Sequence, residues 1–274
     1  MGITCLLLVL TGCDGAAGEP CSPAAPEGPT APEVVAADDP PTGAVAGRLV
    51  HANGLPIEGL RMLACTASIC YWDETDSDGR FLVTNLTLEP LKMQTGDPNA
   101  AHVDVLFYHL LDTTEVSELP RDVIVPLKDQ EPAPWAEGGG AVTLADGALT
   151  LSAEADALTY PPGTKDKAVT AYRLAGDDLP PFDWAPWEGR EAETFGFVIN
   201  PLGIEAEPGV SVRVDGVSEV PCGAYRIWSV ASKTGSLTHV GTGTVVATEG
   251  GSLTLTSEVG SEPVELSTLI ISPL

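Results

Sequence analysis

The chain has 274 residues, with 13 Lys and Arg against 39 Asp and Glu, for a net charge of −26. No basic patch exists, so binding along a phosphate backbone is excluded, and the surface should be strongly hydrated and self-repelling. Hydrophobic residues reach 43% while aromatics are only 5%, and 29 Gly with 24 Pro punctuate the chain, a composition that suits short strands joined by turns.

The N-terminus opens with an apolar run, Ile3-Thr4-Cys5-Leu6-Leu7-Leu8-Val9-Leu10. It has signal-peptide length and is too short to cross a bilayer as a helix, which takes about 20 residues. Thr11-Gly12 then supplies the small residues of a processing site before Cys13. The motif Leu10-Thr11-Gly12-Cys13 resembles the lipobox of a bacterial lipoprotein. That resemblance implies that residues 1–12 are a signal peptide and that Cys13 carries lipid as the new N-terminus, facing the cell envelope on an exported protein. Two or three acyl chains would make attachment to a membrane effectively permanent, since each buried methylene contributes about 0.8 kcal/mol. The alternative is an ordinary secretory signal cut near Gly15-Ala16-Ala17.

Residues 13–43 are rich in Pro, Ala, Glu and Gly and hold no Lys, Arg or aromatic residue. Such a segment cannot bury enough apolar surface to offset its ordering entropy, and its prolines predict a semi-stiff, disordered tether. About 230 residues follow, enough for two modest cores.

Residues 44–128 read as a first β domain. Strands are expected at Val45–Val50, Leu60–Cys65, Ile69–Trp72, Arg80–Val83, His102–His109 and Val123–Leu127, with Asn53-Gly54 as a turn. Gly47-Arg48-Leu49-Val50, Ala52-Asn53-Gly54-Leu55-Pro56-Ile57 and Thr75-Asp76-Ser77-Asp78-Gly79-Arg80-Phe81 resemble the carboxypeptidase regulatory-like domain. The resemblance implies a transthyretin-like β-sandwich and no catalytic activity of its own.

The acidic turn in this domain offers Glu74, Asp76 and Asp78 before Gly79. Alternating oxygens could hold calcium, although Thr84 stands where an EF-hand needs its bidentate Glu; the plainer reading is a hairpin turn. His102 and His109, seven apart on one expected strand, face opposite sides, and His51 and His239 are isolated. All four read as structural, with no metal site among them, and no cofactor is implied.

Residues 129–138 are a Pro-rich polar linker, and 139–274 read as a second β domain. Ala145-Asp146-Gly147 is a hairpin turn between Val142–Leu144 and Ala148–Leu151. Further strands are expected at 168–174, 195–199, 210–214, 224–230, 240–246, 253–256 and 268–271, with no helical period. Gly139-Gly140, Val142-Thr143-Leu144, Asp146-Gly147, Leu149-Thr150-Leu151 and Ile199-Asn200-Pro201-Leu202-Gly203-Ile204 resemble a ZU5-like domain, which implies protein–protein contact. The fold class is therefore all-β, two β-sandwich domains behind a signal and tether.

An insert at 177–193 departs from that pattern. It gathers Phe182, Trp184 and Trp187 beside Asp183, Glu188 and Arg190, a loop suited to a sugar ring or a protein partner if its rings are exposed; the alternative is that they cap the core. Once Cys5 is removed and Cys13 lipidated, Cys21, Cys65, Cys70 and Cys222 remain, an even number that fits two disulfides in an oxidising space. Three connectivities are possible, and a short hairpin makes Cys65–Cys70 the natural pair, leaving Cys21 with Cys222.

No GxSxG, HExxH, Cys–His pair or Gly-rich phosphate loop occurs. The sequence points to a non-catalytic envelope lipoprotein that displays β modules for contact with another envelope protein. The alternative is carbohydrate binding through the Trp184/Trp187 loop.

Overall fold

The computed structural model describes residues 42–96, 101–135, 139–164, 167–183, 185–217, 220–248, 253–258 and 263–274. The signal peptide, Cys13, nearly all of the tether, Cys21 and Trp184 lie outside the described residues.

The fold is all-β. The first eight strands are β1 (Thr42–Val50), β2 (Arg61–Cys65), β3 (Cys70–Glu74), β4 (Arg80–Thr87), β5 (Pro90–Gly96), β6 (Leu106–Leu110), β7 (Val116–Glu118) and β8 (Val123–Ile124). They form two four-stranded sheets. One runs β4-β1-β7, with β8 also pairing β1, and the other runs β3-β2-β5-β6. Alternation puts one face of each sheet inward: β4 buries Phe81, Val83 and Leu86 and β5 buries Leu91, Met93 and Thr95, while the residues between them stay at least partly exposed. These side chains and Val45, Leu49, Met62 and Phe107 fill the space between the sheets.

The remaining strands are β9 (Ala133–Pro134), β10 (Gly140–Leu144), β11 (Leu149–Ala153), β12 (Leu158–Thr159), β13 (Ala168–Ala175), β14 (Phe195–Asn200), β15 (Ile204–Ala206), β16 (Val210–Asp215), β17 (Gly223–Val230), β18 (Leu237–Ala247), β19 (Leu253–Ser257), β20 (Glu265–Leu266) and β21 (Thr268–Pro273). Ten of them form one sheet in the order β10-β11-β16-β19-β18-β17-β21-β14-β13-β9, and β12-β15-β20 form a small second sheet. The two ends of the long sheet, β9 and β10, come back beside one another. In the β10–β11 hairpin, Ala145, Asp146 and Gly147 all have positive φ, of 51°, 53° and 90°, a turn whose handedness matches the twist of the strands it joins.

The middle of the long sheet is covered on both faces. On one side Phe195, Phe197 and Ile199 of β14, Ile227 of β17 and Leu269 and Ile271 of β21 pack into the core of the second half. On the other side Val198, Trp228, Val230 and Ile270, with Tyr172 and Leu174 of β13, join the core of the first half. β14 and β21 are therefore buried at every position. That explains their unbroken apolar runs, since a strand with no solvent face needs no polar alternation.

Three expectations change here. The strand expected over His102–His109 begins only at Leu106; His102 forms an isolated bridge with Leu127. Within the linker expected over 129–138, Ala133–Pro134 joins the sheet at its end: β9 pairs with β13, and Trp135 is 1% exposed, its indole N–H donating to the Gly140 carbonyl at 3.2 Å. A residue that large and that apolar seeks burial wherever a sheet edge offers it. Two strands absent from the sequence reading, β5 and β7, complete the first half.

Cys65 and Cys70 are disulfide-bonded across the β2–β3 hairpin, with Cα atoms 3.9 Å apart. Cys222 is disulfide-bonded too, while the expectation for Cys21 falls outside the described residues.

Candidate functional site at the junction of the two halves

The insert leaves β13 through a 3-10 turn, Gly176–Asp178, and returns to β14 through another, Glu191–Glu193. The rings of Phe182 and Trp187 point inward. Phe182 is 8% exposed and Trp187 2%. Trp187 meets Phe182 edge-on with centroids 5.8 Å apart, and Phe182 meets Phe107 of β6 in the same way at 6.4 Å. Of the two readings of this loop, Phe182 and Trp187 take the one in which the rings cap the core. The uncovered face of β13, β14, β17 and β21 has apolar side chains that need a cover, and these rings supply it together with the first half. Glu188 is exposed, and Arg190 pairs with Glu193 at 2.7 Å and donates to the Leu274 carbonyl at 3.1 Å.

Asp183 has the most connected carboxylate of the loop. Its Oδ2 accepts the backbone N–H of Leu110 and lies 2.8 Å from Nδ1 of His109. His109 is 3% exposed, and its Nε2 is 3.1 Å from Ser117 Oγ on β7. Ser117, His109 and Asp183 therefore stand in line, the residue types that in hydrolases relay a proton from hydroxyl to imidazole. Sequence reasoning missed this constellation, because no short motif links β6, β7 and a loop some seventy residues on. The geometry suits cross-linking better than catalysis. The Asp183 oxygen sits beside Nδ1 without an aligned hydrogen bond. The groove along β7 is lined by Val116 and Glu118, the outward neighbours of Ser117, while Ser117 itself turns to His109.

Other polar contacts cross the same junction. Arg121 donates to the carbonyls of Leu179 and Pro180, at 3.0 and 3.2 Å. Lys92 Nζ donates to the Ser232 carbonyl at 3.2 Å, and burial of its amine lowers its pKa. Gly235, in the β17–β18 turn with φ +72°, lies so close to β6 that a Cβ there would be 2.5 Å from the Phe107 carbonyl oxygen. Only glycine combines that conformation with that approach.

The acidic turn is a turn and not a cation cage. Asp76 Oδ1 accepts the backbone N–H groups of Asp78 and Arg80, and Glu74 pairs with Arg61 at 3.0 Å. The Asp78 contact is through its backbone carbonyl, which accepts from Arg48. Asp76 and Glu74 thus have partners in backbone and arginine, and no group of three metal-ligating side chains stands together among the described residues.

The histidines are not isolated, contrary to expectation. His51 stacks on His102 with centroids 5.3 Å apart, and His239 leans on Trp228 at 5.2 Å. Burial, and after it the neighbouring His102, lowers the pKa of His51; burial, and then Arg226, lowers that of His239. A histidine that resists its proton when folded leaves the unfolded chain holding more protons below about pH 6.5. Its contribution is therefore present above that pH and lost as pH falls. The melting temperature is expected to drop between pH 7.5 and 5.5, and the His51→Gln, His239→Gln double variant should show a visibly shallower drop.

A cleft of about 900 Å³ also lies at the junction. Its floor is the face of β13 and β14 that carries Thr170, Tyr172 and Asn200; Gln94 and Asp104 of the first half and the 161–164 loop flank it. Among the described residues no helix is long and apolar enough to cross a membrane.

No family model matches the chain, and no curated protein matches it. Among solved structures it is similar to a DUF3823 family protein from Parabacteroides merdae, at 11% identity over 86% of this chain and 98% of the other, with a TM-score of 0.24. It is similar to the major pilin subunit of Bacillus cereus, at 12% identity over 84% of this chain and 58% of that one, with a TM-score of 0.24. The Bacillus anthracis TIE protein matches at 10% identity over 79% of this chain and 44% of that one, with a TM-score of 0.28. The chain spans about half the length of these two Bacillus proteins.

Proposed function

We propose that this chain is a non-catalytic module of the bacterial cell envelope, exported, lipid-anchored through Cys13 and held off the membrane by the 13–43 tether. Residues 44–128 and 139–274 act in it as two β modules for contact with an envelope partner. The observation that carries this reading is the junction. The loop with the chain's densest set of aromatic and charged residues is spent on joining two sheet systems, and the serine, histidine and aspartate that meet there are engaged with one another. What the fold produces is a stiff, highly acidic body whose chemistry is structural. The Cys65–Cys70 disulfide agrees with an oxidising compartment.

The carbohydrate reading through the Trp184/Trp187 loop gains no support from Trp187, whose ring is covered as that of Phe182 is, since sugar stacking needs an open ring face; Trp184 lies outside the described residues. The anchoring reading is tested by metabolic labelling with a palmitate analogue. Label and membrane fractionation are expected for the native chain, and both should vanish in Cys13→Ala; a Cys13→Ala chain that keeps its label would end the reading.

A further inference from the structure

The cleft on β13 and β14 has a lining that selects for one kind of ligand. Thr170 and Tyr172 point to the same face of β13, two residues apart, and Asn200 stands opposite Thr170 on β14. Tyr172 is held in place: its hydroxyl accepts the Gln130 backbone N–H at 3.4 Å, and burial raises its pKa, so it stays a neutral hydroxyl. Asn200 is 8% exposed and its Nδ2 has no hydrogen-bond partner among the described residues. A buried amide N–H without a partner costs about 1–3 kcal/mol, a cost that an incoming acceptor would remove.

The rest of the lining narrows the choice. Asp104 and Glu131 place carboxylates there against one cation among the described lining residues, Lys128. In a chain of net charge −26 this disfavours phosphates, sulfates and uronic acids. The apolar part is mainly proline, at 132, 161, 162 and 201, with Ala168 and Leu202. Proline rings present C–H groups against which the faces of a sugar ring can pack. Amides, hydroxyls and carboxylates side by side both donate and accept, as the hydroxyls of a sugar do. The volume, about 900 Å³, is at the upper end for small-ligand sites and has room for more than one sugar ring.

We propose that this junction cleft binds a neutral oligosaccharide, with the Asn200 amide and the Thr170 and Tyr172 hydroxyls on its hydroxyl groups and the proline walls against its ring faces. The proposal deepens the envelope-module reading and rests on it for the ligand's being outside the cell. The site is distinct from the aromatic insert, and both sheets that frame it come from a junction already rigid.

The test uses the full chain on an array carrying neutral and acidic glycans, followed by calorimetric titration of the neutral oligosaccharide that binds best. Binding should be confined to neutral glycans. It should weaken at least tenfold in Asn200→Ala and in Ala168→Arg, which blocks the floor from a half-exposed position and leaves the core intact. Ile69→Ser, on the far β2–β3 hairpin, should bind as the native chain does. Circular dichroism and melting temperature establish that each variant is folded. The proposal is overturned by silence of all neutral glycans, by a preference for acidic ones, or by a folded Ala168→Arg variant that binds normally. Because anchoring is read separately by palmitate labelling, failure on the array leaves the envelope reading standing, and failure of labelling leaves the binding result standing.

Discussion

Replacing Trp187 with alanine is expected to lower the melting temperature by about 10 °C and to cost about 3–5 kcal/mol, the range for deleting a large buried aromatic. Trp187 is 2% exposed and completes a chain of rings, Trp187 on Phe182 on Phe107, that runs from the insert into the first half. The loss has two parts. One is the transfer of the indole out of the core, and the other is the void left between two rigid sheets that cannot collapse onto it. Because the ring lies between the halves, unfolding should also become less cooperative. Differential scanning calorimetry should resolve the single native transition into two, whereas Trp187→Phe, which keeps a ring there, should retain one. A melting temperature within 2 °C of native in Trp187→Ala would mean that this ring stack does not hold the halves together.

Asp183→Ala should be the next most damaging change, at about 2–4 kcal/mol. The carboxylate accepts the Leu110 N–H and sits 2.8 Å from His109 Nδ1, a ring that is itself 3% exposed. Its removal leaves the Leu110 N–H without its acceptor and takes the carboxylate away from the buried His109 ring, and an unpaired donor carries a desolvation cost. The Asp183 side chain is 25% exposed, which admits some water and keeps the figure below that for a fully buried ion pair. Asp183→Asn preserves an acceptor oxygen and should recover about half the loss. Chemical denaturation of the three proteins gives the comparison. Equal stability of Asp183→Ala and the native chain would show that the contact is incidental.

The strands with a strong period were legible. Val210–Asp215 alternates strictly and is β16, and the apolar run 195–199 is the doubly covered β14. β5 was not legible, because Pro90-Leu91-Lys92-Met93-Gln94-Thr95-Gly96 opens on proline and carries Lys, Met and Gln, residues with weak strand preference. Its strand conformation is imposed by pairing with β2 and β6 on either side. The Cys65–Cys70 pair could be read because hairpin geometry is local. The aromatic insert stood out in the sequence, which left open whether its rings face outward or cap the core; Phe182 and Trp187 cap it. A loop is expected at the surface, and nothing in residues 177–193 announces that a sheet face waits beneath. The junction cleft escaped for the same reason: Thr170 and Asn200 become neighbours only through the β13–β14 register, and Gln94 and Asp104 arrive from another sheet system.

The meeting of β9 and β10 bears on self-association. An open ten-stranded ribbon would end in two rows of unused amides and carbonyls, each an invitation to a stranger's backbone. Here the first and last strands of the ribbon are consecutive in the chain and are brought side by side, with Trp135 locked between them. The two ends are curled toward one another and β9 is only two residues long, so at that end the sheet offers a second copy of the chain little edge to pair with.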